Sequence, residues 1–181
     1  MREKMNPELW PQQELHQQLA SNRIQMDLSS ATANSGGGMV IGSTGPFAQY
    51  CGGQALRAGG NAMDAAVATS MAQITLCAGS WVSFAGIATL MVHDPASGET
   101  HSINGPFRTF KDETQAATIP AAPTPSGRTA LVPGYFAAMH AAHRRFGRLS
   151  WAQVLAPAIW LCDHGIPVSD CLVGMIGIRR E

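Results

Sequence analysis

The residues of this chain whose types and spacing could do chemistry begin with its histidines. His140 and His143 lie three residues apart on a predicted helix, so they share a face and could share a metal ion. No third ligand accompanies them and no HExxH motif is present, so a solvated face or one hydrogen-bonded histidine is the simpler interpretation. His93 and His101 flank a predicted turn and could pair across it, but their spacing does not make them ligands. We therefore predict no metal site and no cofactor.

Arg108 is the residue that the sequence favours for substrate binding. It lies in INGPFRTF, just after a predicted strand, where groups that position substrates are often found. Its guanidinium could hold a carboxylate through two parallel hydrogen bonds. The alternative is a surface arginine in a loose ion pair. We name no catalytic residue, because the nucleophile elbow GxSxG is absent and a Ser-His-Asp arrangement cannot be recognised from residue types alone.

The glycines of SGGGMVIG (35–42) invite comparison with a phosphate-binding loop. The stretch lacks the Lys-Ser/Thr of a P-loop, and Ile41 occupies the third glycine position of GxGxxG. A linker that enters a buried strand explains it better. Residues 1–35 are polar and Gln-rich, and they indicate an N-terminal arm or linker with room for one short helix around Gln12–Ala20. Residues 36–181 form the predicted domain.

The elements that must position Arg108 follow a regular order. Proline and glycine signals, Asn and Ser caps and apolar periodicity set their ends. They indicate a strand at MVIGST, a helix from Pro46 to Gly59-Gly60, a helix over Ala62–Leu76, a hairpin formed by GIATLMVHD and THSIN, a Pro- and Thr-rich loop over Thr118–Gly134, and helices over Tyr135–Phe146 and Trp151–Asp163. Apolar helices beside such a hairpin predict a layered α+β fold.

Composition excludes several classes of partner. Charged residues are only 13% of the chain, against about 25% in an average domain, so we expect much of the surface to be covered. The formal net charge of zero argues against nucleic acid and against an anionic membrane as partners. The four cysteines form no CxxC pair, no secretory h-region is present and no run of 18 apolar residues occurs. The predicted compartment is the cytoplasm.

Three colinear stretches carry a family resemblance. LRAGGNAMDAAVATSMAQ (56–73) resembles the AGGNAxDAAVA segment of gamma-glutamyltranspeptidases, Val132-Pro133-Gly134 is similar to their VPG, and Ala141–Ser169 resembles AHxxYGxLPWxxLxxPAIxLAxxGFxVS. The chain is thereby identified as similar to the N-terminal part of that family's large subunit.

The resemblance implies part of a four-layer αββα N-terminal nucleophile hydrolase fold, incomplete in this chain. It implies that the Ala-rich helix over Ala62–Leu76 packs on a sheet with one face and is covered by other protein on the opposite face. In the family a precursor cleaves itself, and the new N-terminal Thr of the small subunit attacks gamma-glutamyl amides such as glutathione. That Thr is expected beyond Glu181, and the expected partners are the rest of the precursor and a small amide substrate. Thr100-His101-Ser102, which echoes a small-subunit start, is interpreted as coincidence.

Two departures from the family pattern bear on specificity. GSWVSFAGIAT (79–89) replaces a glycine-rich stretch, and Gly105-Pro106 occupies the place of the family's RExAP arginine, with Arg108 offset by two. Three hypotheses therefore stay open: a gamma-glutamyl hydrolase or transferase fragment, a divergent relative that cleaves another small amide, and a non-enzymatic binding module. Whether this chain alone is an enzyme is not decided by its sequence.

Overall fold

The computed structural model describes residues 3–22, 31–35, 38–42, 45–79, 82–121 and 126–178. The helices and strands, in chain order, are α1 (Gln12–Ser21), β1 (Ala31–Ser35), β2 (Gly38–Gly42), α2 (Pro46–Arg57), α3 (Ala62–Leu76), β3 (Ala88–Asp94), β4 (Glu99–Gly105), α4 (Tyr135–Phe146), α5 (Trp151–His164) and α6 (Asp170–Ile178). Short 3-10 helices lie at Glu3–Met5, Pro7–Leu9, Ala116–Thr118 and Gly127–Thr129. The chain divides into unit 1 (Met1–Ser83 and Ala142–Glu181) and unit 2 (Phe84–Ala141).

Helix α3 is the centre of unit 1. Asn61 caps it, accepting hydrogen bonds from the backbone N–H groups of Met63 at 3.0 Å and Asp64 at 3.2 Å. Its side chains are apolar or small on every face, and it packs against both α2 and α5. A helix without a polar stripe is stable only when it is covered on several sides. Within the described residues α2 and α5 cover much of α3 and strand β2 also contacts it, while covering by other protein stays a prediction.

Close approach of α2 to α3 depends on a glycine. A Cβ added at Gly52 would overlap the Thr69 hydroxyl and would lie 3.1 Å from both the Ala65 carbonyl oxygen and Val40 Cγ1. Gly52 therefore allows close backbone packing of α2 on α3, which explains the presence of a residue that would otherwise weaken the helix.

The N-terminal segment is folded where the structure describes it. Two 3-10 helices and α1 pack in unit 1, and Met5, Trp10 and Leu15 are buried. Trp10 lies edge-on to Tyr50 of α2, with ring centroids 5.3 Å apart. Strand β1 pairs antiparallel with β2, from Ala31↔Gly42 to Ser35↔Gly38. A domain boundary at residue 35 stays a prediction, but residues 3–22 pack as part of unit 1 although their composition is polar.

Unit 2 contains the predicted hairpin. β3 and β4 pair antiparallel in a register that runs from Ala88↔Gly105 to Asp94↔Glu99, and Gly98 takes a positive φ of 72° in the turn. The predicted bounds of five elements are confirmed to within two residues at nearly every end. These elements are the hairpin and helices α2, α3, α4 and α5. Among the described residues, none of the helices combines the length and the apolar content needed to cross a membrane.

Replacing Gly52 by Ala should lower the free energy of unfolding by about 1–3 kcal/mol, because the added methyl group must push α2 away from α3. The measurement is urea unfolding followed by circular dichroism. Gly174→Ala in α6 is the matched control, since a Cβ there meets nothing within 4 Å, and we expect no loss of stability from it. Equal effects of the two substitutions would contradict the packing argument.

Candidate functional site

Arg108 lies at the start of the long loop that follows β4. Its backbone forms an antiparallel bridge with Val132: the Arg108 N–H donates to the Val132 carbonyl at 3.1 Å, and the Val132 N–H donates to the Arg108 carbonyl at 2.7 Å. The side chain is exposed and makes no ion pair with any residue that the structure describes. Its backbone is therefore fixed while its guanidinium stays accessible to an anion.

The two ends of this loop meet at a pair of glycines. A Cβ at Gly105 would overlap Gly134, and a Cβ at Gly134 would overlap the Gly105 carbonyl. Gly134 belongs to the Val132-Pro133-Gly134 motif, so the structure supplies a physical reason for that motif. The chain can leave β4 and enter α4 at one place only if neither residue carries a side chain.

A second arginine holds the interior of the loop. Arg128 donates from Nε to Glu113 Oε2 at 2.7 Å and from Nη2 to Glu113 Oε1 at 2.8 Å. Nη2 also donates to the Gln115 carbonyl at 3.1 Å and to Thr118 Oγ1 at 3.0 Å. The hydrogen bonds from Arg128 are the main cause that lowers the pKa of Glu113 to about 2. Sequence patterns do not indicate this pair, because its partners are 15 residues apart in a loop without periodicity.

Unit 1 contains a buried carboxylate at the start of α3. Asp64 is fully buried and accepts a hydrogen bond from His143 Nε2 at 2.9 Å. It also accepts backbone N–H groups from Asn61 at 2.8 Å, Arg148 at 3.0 Å and Leu149 at 3.1 Å. We call these groups the Asp64 cluster. It confirms that a histidine of the 140/143 pair is hydrogen-bonded, and its role is to join segments of the fold.

The remaining histidines do not assemble into a site. Strand register places His93 opposite Thr100, whose hydroxyl lies 3.2 Å from His93 Nδ1, and places His101 opposite Val92. The two histidines therefore do not pair across the turn. Throughout the part of the chain that the structure describes, no group of three or more His, Cys, Asp or Glu side chains could hold a metal ion.

Comparison with solved structures defines the class of fold. A Helicobacter pylori gamma-glutamyltranspeptidase is 25% identical with a TM-score of 0.67, over 81% of this chain and 43% of that one. A Pseudomonas nitroreducens gamma-glutamyltranspeptidase complexed with L-DON is 22% identical with a TM-score of 0.62, over 82% of this chain and 44% of that one. The fold is that of an N-terminal nucleophile hydrolase, of which this chain holds a part, as the sequence predicted.

Comparison of sequences defines the family. The family model described as gamma-glutamyltranspeptidase matches residues 48–181. The glutathione hydrolase proenzyme of Pseudomonas aeruginosa is 30% identical over 146 residues, which are 78% of this chain and 26% of that protein. The corresponding proenzyme of Bacillus subtilis is 27% identical over 150 residues, 78% of this chain and 25% of that protein. The chain belongs to the gamma-glutamyltranspeptidase family and spans about a quarter of the length of these curated relatives.

Asp64→Asn should lower the free energy of unfolding by about 2–4 kcal/mol, because the amide replaces one buried acceptor oxygen with a donor that faces the N–H groups of the cluster. Urea unfolding measures the loss. Asp163→Asn, an exposed aspartate of α5, is the control and should change stability by less than about 0.5 kcal/mol. A similarly small effect at Asp64 would show that the cluster does not stabilise unit 1.

The carboxyl carbon of Glu113 should titrate with a midpoint near pH 2 in a carbon-13 NMR experiment, since its pKa is lowered from 4.5 to about 2. A lowered pKa means that the Arg128 pair is fully formed above pH 4.5 and is lost as the pH falls through about 2. Arg128→Gln should return the midpoint toward 4.5, whereas Lys111→Gln should leave it near 2. A midpoint near 4.5 in the unsubstituted chain would contradict the two-pronged contact.

Proposed function

We propose that this chain is the N-terminal part of the large subunit of a gamma-glutamyl amide hydrolase or transferase, with glutathione-type substrates. Family membership supports the reaction class, and the curated relatives are named as glutathione hydrolase proenzymes. The chain covers only a quarter of such a protein, so the nucleophile is proposed to lie in polypeptide outside these 181 residues. The enzyme would thus be a complex of this chain with the rest of its precursor.

The proposed chemistry assigns one task to this chain and another to the small subunit. The hydroxyl of an N-terminal Thr attacks the amide carbonyl while its own amine takes the proton. The amide C–N bond then breaks, and that proton passes to the departing amine. The acyl group finally passes from the Thr oxygen to water or to an amino acid, which restores the hydroxyl. Arg108 binds the substrate α-carboxylate and so holds the scissile amide in place. This role is supported by the surroundings of Arg108. Its guanidinium is exposed and makes no ion pair with the described residues, while its backbone is fixed by the bridge to Val132.

The partner is proposed from the incompleteness of the sheet. Among the described strands, β3 and β4 pair only with each other, so the hairpin has outer edges available to further strands. Ile87 and Met91 are 53% and 78% exposed beside and on β3. A two-stranded hairpin is marginal by itself, and strands from the remaining polypeptide would cover these side chains. We propose neither a nucleic acid nor a membrane as a partner.

A divergent substrate is the second candidate function. The family's RExAP arginine is not matched after β4, where Gly105 is followed by Pro106 and the nearest arginine, Arg108, is offset by two. Phe107 and Phe110 lie near Arg108 in the sequence and are 44% and 50% exposed. Apolar side chains around the proposed carboxylate contact favour a less polar acyl group than gamma-glutamyl. A non-enzymatic module that retains the scaffold is the third candidate.

The cytoplasm is the proposed compartment. Cys51 and Cys162 are free thiols, and Cys51 is buried. Burial raises the pKa of the Cys51 thiol far above its usual range, which keeps it protonated and unreactive. Free thiols of this kind are typical of reducing compartments.

The experiment that tests the proposed function compares the purified 181-residue chain with the same chain continued through the coding sequence that follows it. The substrates are a chromogenic gamma-glutamyl amide and a chromogenic phenylacetyl amide. We expect no turnover by the chain alone and turnover of the gamma-glutamyl amide by the continued, self-cleaved protein. Turnover of only the phenylacetyl amide supports the divergent relative. An immediate stop codon with a stable chain supports the binding module, and turnover by the chain alone that is lost in Thr100→Ala contradicts the proposal.

In the complete protein, Arg108→Ala should lower kcat/KM for a gamma-glutamyl substrate roughly 30- to 1000-fold, the effect of losing about 2–4 kcal/mol of charge-assisted binding. Arg108→Lys should recover little, because an ammonium cannot reproduce two parallel hydrogen bonds. Self-cleavage should be unchanged, since that step uses no substrate carboxylate. Lys111→Ala, an exposed cation three residues away, is the control. Near-normal kcat/KM in Arg108→Ala would show that another group binds the carboxylate.

A further inference from the structure

Unit 1 contains a cavity that the proposed reaction does not use. Its volume is about 330 Å³, within the lower range of small-ligand sites. One wall is the segment before α1 and the other is the last turn of α2. The lining residues are Lys4, Leu9, Trp10, Pro11, Gln54, Arg57 and Ala58.

Hydrogen bonds hold the first wall in shape. The Trp10 indole N–H donates to the Lys4 carbonyl at 3.1 Å. The Gln12 side-chain amide donates to the carbonyls of Pro7 and Trp10, each at 3.0 Å. Trp10 is itself 5% exposed and packs edge-on against Tyr50. The apolar part of the cavity is therefore formed before any ligand arrives, which lowers the entropy cost of binding.

Both charged residues of the lining are cations. Neither Lys4 nor Arg57 makes an ion pair with any residue in the described ranges, and the Arg57 guanidinium lies 5.9 Å from the Tyr50 ring centroid. Glu14, an acidic residue that affects the pKa of Tyr50, does not line the cavity. After burial, the Glu14 carboxylate is the next cause that raises the pKa of Tyr50 to about 12.

The last turn of α2 is capped without using the charge of Arg57. The carbonyls of its last turn accept backbone N–H groups: Gln54 from Ala58 at 2.8 Å, Ala55 from Gly60 at 2.9 Å and Leu56 from Gly59 at 3.0 Å. The groups that cap this turn are therefore backbone N–H groups and not the Arg57 guanidinium. Two cations beside a preformed apolar wall match a ligand with a negative group on an apolar body.

We propose that this cavity binds a small organic anion, whose apolar or aromatic body packs on Leu9 and Trp10 and whose carboxylate or phosphate is neutralised by Lys4 and Arg57. The family match begins at residue 48, so one wall of the site lies outside it. The proposal involves none of the residues assigned to the reaction, and it does not depend on the proposed reaction.

The test titrates the 181-residue chain, in a buffer free of phosphate and carboxylate, with phenyl phosphate, benzoate and benzyl alcohol. The readout is the proton–nitrogen NMR signal of the Trp10 indole, assigned by its disappearance in Trp10→Phe. We expect a saturable shift with at least one of the two anions, and whichever binds more tightly identifies the group that the site prefers. The neutral alcohol should give no saturable shift over the same concentrations.

Charge variants locate the site. Lys4→Ala and Arg57→Ala should each weaken anion binding by about fivefold or more, while Arg57→Lys should stay within about twofold and Lys111→Ala should have no effect. Raising the salt concentration should weaken binding in the unsubstituted chain, which gives a second readout independent of any substitution. Saturable binding of benzyl alcohol as tight as that of the better anion, no saturable response to either anion, or anion binding that is unchanged in both alanine variants would each overturn the proposal.

Discussion

One buried carboxylate connects segments of unit 1 that are far apart in the sequence. Asp64 accepts N–H groups from the start of its own helix, from His143 and from the turn at Arg148 and Leu149, 79 to 85 residues away. An isolated buried carboxylate would cost several kcal/mol, so it is tolerated only because both oxygens are surrounded by donors. The same geometry that removes this cost determines where α5 lies on α3, and the apolar faces of both helices depend on that placement.

In unit 2, two arginines of the long loop have different surroundings. Its long loop is closed at the base by Gly105 and Gly134 and held inside by Arg128 and Glu113. Arg128 donates hydrogen bonds to other residues of the loop. Arg108, in contrast, makes no ion pair within the described residues. Arg128 therefore stabilises the loop, whereas the Arg108 side chain is left exposed.

Local signals predicted the parts of the fold that depend on neighbours in the chain. The side chains of Asn61 and Ser150 accept hydrogen bonds from backbone N–H groups no more than three residues further along the chain. The beginnings of α3 and α5 can therefore be predicted from the sequence. Strand β1 was missed because its sequence, ATANS, is polar and becomes a strand only by pairing with β2. Helix α6 was also missed, in a tail without a recognisable end signal. The cluster at Asp64 and the Glu113–Arg128 pair could not be predicted, because nothing in the sequence indicates which distant side chains meet. The role of Arg108 stays a prediction.

The central claim is that a buried carboxylate, and not local turn geometry, holds the segment between α4 and α5. Native-state hydrogen exchange of the 181-residue chain tests it at the amides of Arg148 and Leu149. Ala96 is the comparison, because its N–H also donates to a carboxylate, that of Asp94 at 3.0 Å, but in an exposed turn. We expect the first two amides to exchange within about tenfold of the central amides of α3, and far more slowly than Ala96. Exchange at Arg148 and Leu149 as fast as at Ala96 would contradict the claim.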